Sequence, residues 1–193
     1  MKNNLDIKII LGSTREGRLG ERVSKFVNSV TQKRKNIIFD FIDLKDWNIP
    51  FLNDKNPPGM GIYSNDIVKK WAKKIDEGDA YIIITPEYNR GYPAVLKNVL
   101  DVIYKEWNNK PVAFVSYGGS VGGSRAVEQL RQVAIELQMA PIREGVHIAM
   151  IWEAFDQNNE LKNKQVYEQR VESMLDQLFW WANALKEARS KTI

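Results

Sequence analysis

Short runs of apolar, largely β-branched residues alternate with longer amphipathic stretches from end to end of the chain. That alternation constrains the fold more than any other feature. Leu5–Leu11, Asn36–Leu44, residues 80–84, Lys110–Ser116 and Val146–Ile151 read as five strands. Helices are predicted after the first loop to about Lys33, over Asn65–Glu77 with Ser64 as cap, over Pro93–Glu106, over Arg125–Gln138 and over Asn163–Ala188. Strands separated by helices pair in parallel, with right-handed crossovers that place helices on both faces. Five strands connected this way fit a doubly wound α/β sheet of order 2-1-3-4-5 better than a six-stranded dinucleotide fold. With 193 residues, no internal repeat and no low-complexity segment, a single domain spanning 1–193 is expected.

The stretch Tyr81-Ile82-Ile83-Ile84-Thr85-Pro86-Glu87-Tyr88-Asn89-Arg90-Gly91-Tyr92-Pro93 shows where the chemistry lies. It runs as a buried strand, breaks into a polar aromatic loop and closes on a proline suited to the first turn of a helix. Its unusual residues all fall at the carboxyl end of the strand, the edge where open parallel sheets bind ligands.

Composition narrows the chemistry. The chain has no cysteine, which removes disulfides, iron–sulfur ligation and a thiolate nucleophile. Its sole histidine, His147, lies in an apolar strand and reads as structural. No G-x-S-x-G elbow is present for a serine triad. The net charge of +4 suits an anionic ligand, but no basic stripe interleaved with aromatics points to nucleic acid. Lys33-Arg34-Lys35 sits at a predicted helix end, where cations favour the dipole. No apolar run is long enough for a membrane span, and the N-terminus lacks signal-peptide character, so the expected location is the cytoplasm. The irregular stretch from Lys45 to about Tyr63 is long enough to cover a site or a partner, with Trp47 and Phe51 as expected anchors.

Three strand-end loops would converge at the switch point between strands 1 and 3. Gly12 to Gly20 has the makings of a phosphate cradle: close backbone approach, the hydroxyls of Ser13 and Thr14, a helix N-terminus, and the forked donors Arg15 and Arg18. It misses G-x-x-x-x-G-K-[ST] because Arg18 and Leu19 follow Gly17, so one terminal phosphate fits better than a triphosphate. Pro86–Gly91 and Tyr117–Gly122 offer Tyr88 and Tyr117 as ring surfaces, Asn89 and Ser116 as polar contacts, and Gly118–Gly119 for close approach of a planar group. Either loop alone is also readable as a glycine-rich turn. Together they describe a site for a planar aromatic group carrying one phosphate.

Gly12-Ser13-Thr14-Arg15 with Arg18 and Gly20, Pro86 to Pro93 with Leu96-Lys97-Asn98 and Asp101, and Ser116 to Gly119 with Gly122-Gly123 resemble the NADPH-dependent FMN reductase family over residues 5 to 151. The resemblance implies a flavodoxin-like fold and an oxidoreductase that passes hydride from NADPH or NADH to FMN and on to a small acceptor, a flavin, quinone, azo compound or metal oxyanion. It implies that Ser13, Arg15, Arg18 and Gly20 hold the FMN phosphate. Pro86, Glu87, Tyr88 and Asn89 would line the flavin ring and ribityl side, and Ser116, Tyr117, Gly118, Gly119 and Gly122 the rest of the ring site. The flavin carries the reaction, so no catalytic side chain and no metal are required. Relatives form dimers or tetramers, which makes helices 93–106 and 65–77 the interface candidates. The competing reading is a non-enzymatic FMN-binding electron carrier or redox sensor, and a flavin-free binding protein is a third. Arg90 stands where it could meet a 2′-phosphate or simply solvent, so the choice between NADPH and NADH stays open.

Overall fold

The computed structural model of the protein describes residues 4–191. The strands are β1 (Leu5–Leu11), β2 (Ile37–Asp43), β3 (Ala80–Pro86), β4 (Pro111–Tyr117), β5 (Ala140–Pro141) and β6 (Val146–Ile148). Between and after them come α1 (Gly20–Thr31), α2 (Asp66–Asp76), α3 (Ala94–Asp101), α4 (Ser124–Glu136) and α5 (Lys164–Ser190). All strand pairs are parallel, in the order β2-β1-β3-β4-β5, with β6 also beside β4. The predicted doubly wound order 2-1-3-4-5 is therefore the observed one.

The core forms two layers, one on each face of the sheet. Val23, Val27 and Val30 of α1 and Met174, Leu175 and Leu178 of α5 bury one face. Trp71 and Ile75 of α2, Leu96 and Val99 of α3, and Leu130 of α4 bury the other. Because β3 and β4 are covered on both sides, all their residues are buried, which is why they read as unbroken apolar runs. Each large aliphatic side chain so enclosed contributes roughly 1.5–3 kcal/mol. Trp47 packs edge-on against Trp71 at 5.1 Å and Trp107 against Tyr81 at 4.9 Å, so Trp47 does anchor the long loop.

Several boundaries differ from expectation for local reasons. The fifth sheet position is shared: β5 pairs with Pro111–Val112 and β6 with Val115–Tyr117. The strand expected to run to Ile151 stops at Ile148 because the amides of Met150 and Ile151 donate instead to Gly119 and Gly118 carbonyls, both at 3.0 Å. Asn65, not Ser64, caps α2, its side chain accepting from the Ile67 amide at 2.8 Å. Ser64 bonds to Asp54. Pro93 precedes α3 in an extended conformation, and the helix ends at Asp101, with a separate 3-10 turn at Lys105–Trp107. Phe51 is 78% exposed rather than packed, and Val166 also faces solvent. Lys33 and Arg34 pair with Glu168 and Glu172, tying the end of α1 to α5.

Candidate active site

Register places the site. Leu11 lies beside Ile84, and Pro86 beside Tyr117, so β1, β3 and β4 end together and their loops are neighbours. In the first loop the Gly12 amide donates to the Ile84 carbonyl at 2.8 Å, and a Cβ on Gly12 would come within 2.9 Å of Leu96 Cδ2. A side chain there would force the buried Leu96 side chain to shift and crowd the Ile84 carbonyl. The loop turns at Gly17, whose φ is +67°. Among the described residues, the amides from Ser13 to Gly17 find no acceptor, so a row of donors lines this loop. Arg15 is exposed, its guanidinium donating to the Glu16 carbonyl at 3.2 Å and, at 3.5 Å, to that of Gly17.

Arg18 behaves differently from Arg15. Its guanidinium is buried, pairs with both carboxylate oxygens of Asp43 at the end of β2, and donates to the Ser13 carbonyl and to Glu21 at 3.2 Å. Burial alone would depress its pKa, but Asp43 and then Glu21 raise it. Arg18 thus ties the first loop to β2 through Asp43 and the Ser13 carbonyl, and it also borders the cavity between the loops.

The second loop is a two-residue hairpin. Tyr88 and Gly91 exchange backbone bonds at 2.8 and 2.9 Å around Asn89 and Arg90, whose φ angles are +49° and +70°. That is type I′ geometry, natural for Asn and strained for Arg. Tyr88 is 37% exposed and its hydroxyl bonds to Ser13 Oγ at 2.8 Å, joining the first two loops; Asn89 is exposed. Glu87 turns away to the start of α4, accepting from the Arg125 amide and guanidinium, both at 3.2 Å.

The third loop corrects two expectations. Ser116 does not point to a ligand: its hydroxyl bonds to the Gly122 carbonyl and to His147 Nδ1, both at 2.7 Å. His147 is structural in this sense, and burial followed by the charges of Arg131 and Arg170 lowers its pKa. Tyr117 borders the cavity but its ring is not an open face. It is 4% exposed and lies in the core under Gly20, with its hydroxyl buried and in no hydrogen-bonding geometry. Gly122, at φ +62°, is packed so closely that a Cβ would sit 3.0 Å from the His147 carbonyl carbon. Gly118 and Gly119 leave a floor without side chains.

Between the loops lies a cavity of about 200 Å³ bordered by Arg15, Pro86, Tyr88, Gly118, Gly119 and Trp152. A wider groove of about 600 Å³ runs between α1 and residues 155–164, but only Gly17, Arg18 and Leu19 connect it to the converging loops. The smaller cavity has the chemistry: a glycine floor for a ring, Arg15 at its edge beside the loop of unbonded amides for a phosphate, and the unpaired Tyr117 hydroxyl beside Gly20. Sequence reasoning missed Asp43, whose partner lies across the sheet, and Trp152, whose only signal was a bulky aromatic just past the last strand.

A parallel 2-1-3-4-5 sheet with glycine-rich loops gathered at the β1–β3 switch defines a flavodoxin-like protein. Residues 5–153 match the NADPH-dependent FMN reductase model, and the chain belongs to that family. It is 40% identical over 139 residues to an NAD(P)H-dependent FMN reductase of Schizosaccharomyces pombe, covering 70% of this chain and 69% of that one. It is 28% identical over 148 residues to a 2-hydroxy-1,4-benzoquinone reductase of Burkholderia sp, covering 70% and 73%. The solved flavoenzyme NAD(P)H:(acceptor) oxidoreductase FerB from Paracoccus denitrificans shares the fold at a TM-score of 0.71, 23% identity, and coverage of 90% and 97%. The protein is a flavin-dependent oxidoreductase using FMN and reduced nicotinamide.

Proposed function

We propose that the whole chain forms one FMN-binding domain that takes hydride from NADPH or NADH and reduces a small organic acceptor, with quinones the leading class. The observation that carries this reading is the Tyr88–Ser13 hydrogen bond, which joins the donor-lined loop to the glycine-floored cavity in one continuous site. Ser13, the loop amides, Gly20 and Arg15 would hold the phosphate. Pro86, Tyr88, Gly118 and Gly119 would enclose the ring, with Tyr88 exchanging its bond to Ser13 for a ligand contact. FMN, when bound, supplies the hydride acceptor and the onward electron donor. The protein's part is to orient the ring, present amide donors to its polar edge and exclude water. Arg18 serves through the Ser13 carbonyl, fixing the loop that Arg15 completes.

The same reading includes a homodimer. Phe51, Leu52, Met60 and Ile62 are exposed on the long loop, and Asn98 of α3 holds that loop through the Pro50 carbonyl at 2.9 Å and the Leu52 amide at 3.2 Å. Exposed apolar residues clustered on an ordered loop mark an interaction surface. The cytoplasm, where reduced nicotinamide is abundant, is the compartment the reading entails. Among the described residues, no helix is long and apolar enough to cross a membrane.

The test is a spectrum of purified protein after FMN is added and the excess removed, followed by anaerobic titration with NADPH and NADH. A retained flavin band that one nucleotide bleaches promptly is expected. Retained flavin that neither nucleotide bleaches would overturn the reductase reading in favour of a carrier. Arg15→Ala is expected to weaken FMN binding roughly 10- to 100-fold, the worth of a charge-assisted phosphate contact, with little change in hydride transfer once saturated. Unchanged FMN affinity would remove Arg15 from the site.

A further inference from the structure

Trp152 has no structural duty that accounts for it. The other five tryptophans each pack against another ring: Trp47, Trp71 and Trp107 in the core, and Trp180 with Trp181 on α5. Trp152 is 62% exposed, and its Cη2 lies 3.6 Å from where a Cβ on Gly119 would stand. It borders the same cavity as Tyr88, Gly118 and Gly119.

The backbone holds it there at a cost. Met150, two residues earlier, has a φ of +45°, a left-handed conformation disfavoured for a side chain of its size. The Met150 and Ile151 amides are pinned to the Gly119 and Gly118 carbonyls at 3.0 Å, and the Glu153 amide closes the turn onto the Met150 carbonyl at 2.8 Å. This turn ends β6 early and fastens the indole to the same glycines that floor the cavity. An exposed indole offers a broad polarisable face for stacking on a planar ring, whereas to an inorganic oxyanion it offers only the single donor of its Nε1–H.

We infer that Trp152 is a specificity-determining residue, forming the wall of the acceptor site that selects planar aromatic acceptors over inorganic oxyanions. This rests on the FMN reading of the same cavity. The reaction it would favour is reduction of a quinone to the hydroquinone, with two electrons and one proton arriving as hydride from reduced nicotinamide and the second proton from solvent.

The experiment measures calorimetric binding of 1,4-naphthoquinone to the oxidised, FMN-loaded protein, where no turnover occurs. Trp152→Ala is expected to weaken it roughly tenfold or more, and Trp152→Phe by less than about threefold, because a ring stacking partner is lost in the first and kept in the second. The ratio of kcat/KM for naphthoquinone to that for chromate should fall by the same factor in Trp152→Ala and recover in Trp152→Phe. Unchanged naphthoquinone affinity would overturn the inference, as would equal losses for both acceptors. So would a loss of nicotinamide affinity with quinone affinity intact, or a change confined to oligomeric state. Flavin absorbance in every sample reports the cofactor reading separately, so loss of flavin and loss of quinone affinity are distinguishable failures.

Discussion

Gly20 opens α1 directly above Tyr117, so closely that a Cβ there would collide with the tyrosine hydroxyl and stand 2.8 Å from Leu11 Cδ1. Gly20→Ala should therefore destabilise the protein by about 1–3 kcal/mol, the usual penalty of overpacking, read as a shift in the urea midpoint. Tyr117→Phe removes the nearer obstacle and should recover part of that loss in the double variant. Alone, without FMN, Tyr117→Phe is expected to be neutral or stabilising, because the hydroxyl it deletes is buried and unpaired. With FMN added, the same variant should bind less tightly if the hydroxyl meets the ligand. Equal FMN affinity would assign the hydroxyl no part in binding.

At the level of elements, the cap of α2 is a direct test of where that helix begins. Asn65→Ala should cost about 1 kcal/mol, as loss of an N-cap does, whereas Ser64→Ala removes only the exposed hydroxyl bond to Asp54, keeps the amide bond, and should cost much less. Both residues are good caps by type, so sequence could not choose between them; the choice was made by Asp54, ten positions away. The same limit explains the site. Gly12 was legible because glycine type and position alone signal close backbone approach, and the apolar runs of β1, β3 and β4 carried the sheet order; Gly122, implied as part of a ring site, packs instead on the His147–Ala149 backbone. The roles of Arg18, Ser116 and Tyr117 were not legible. Arg18 meets Asp43 only because β1 and β2 pair in the register Leu11↔Asp43. Ser116 meets His147 only because β6 lies beside β4. Residue type announced polar groups at the right loops, and the register of the sheet decided which of them turn inward.

Across the whole molecule, the two ends of the sheet are built on opposite principles. The carboxyl end is lined with glycine and unbonded amides around the one buried Arg18–Asp43 pair, while the amino end is locked by a network of charges. Lys8 is 1% exposed and donates to Asp40 at 2.8 Å, Asp6 at 3.1 Å and Glu77 at 3.3 Å, and Asp79 pairs with Lys186 and Arg189 from α5. Lys110 is the exception. Its ammonium closes α2 by donating to the Asp76 carbonyl at 2.9 Å, but its nearest carboxylate oxygen, on Asp76, is 3.6 Å away. Burial lowers its pKa to about 8 despite Asp76. In the unfolded chain a lysine keeps its proton to about pH 10.4. Between these values the unfolded state binds more protons, so the lysine's contribution should be level from pH 7 to 8 and rise above it, by on the order of 2–3 kcal/mol. The rise has a ceiling. Burial raises the pKa of Tyr81 and Tyr117, and carboxylate partners raise that of Lys8 against its burial, so above about pH 10 the folded state holds the extra protons and stability falls. Urea midpoints should be nearly level between pH 7 and 8 and higher at pH 9.5 in the wild type, and in Lys110→Met that climb should vanish. The slope, not the level, is the readout, because the substitution also removes the α2 cap. A climb that persists in Lys110→Met would place the titrating group elsewhere in the charged end of the sheet.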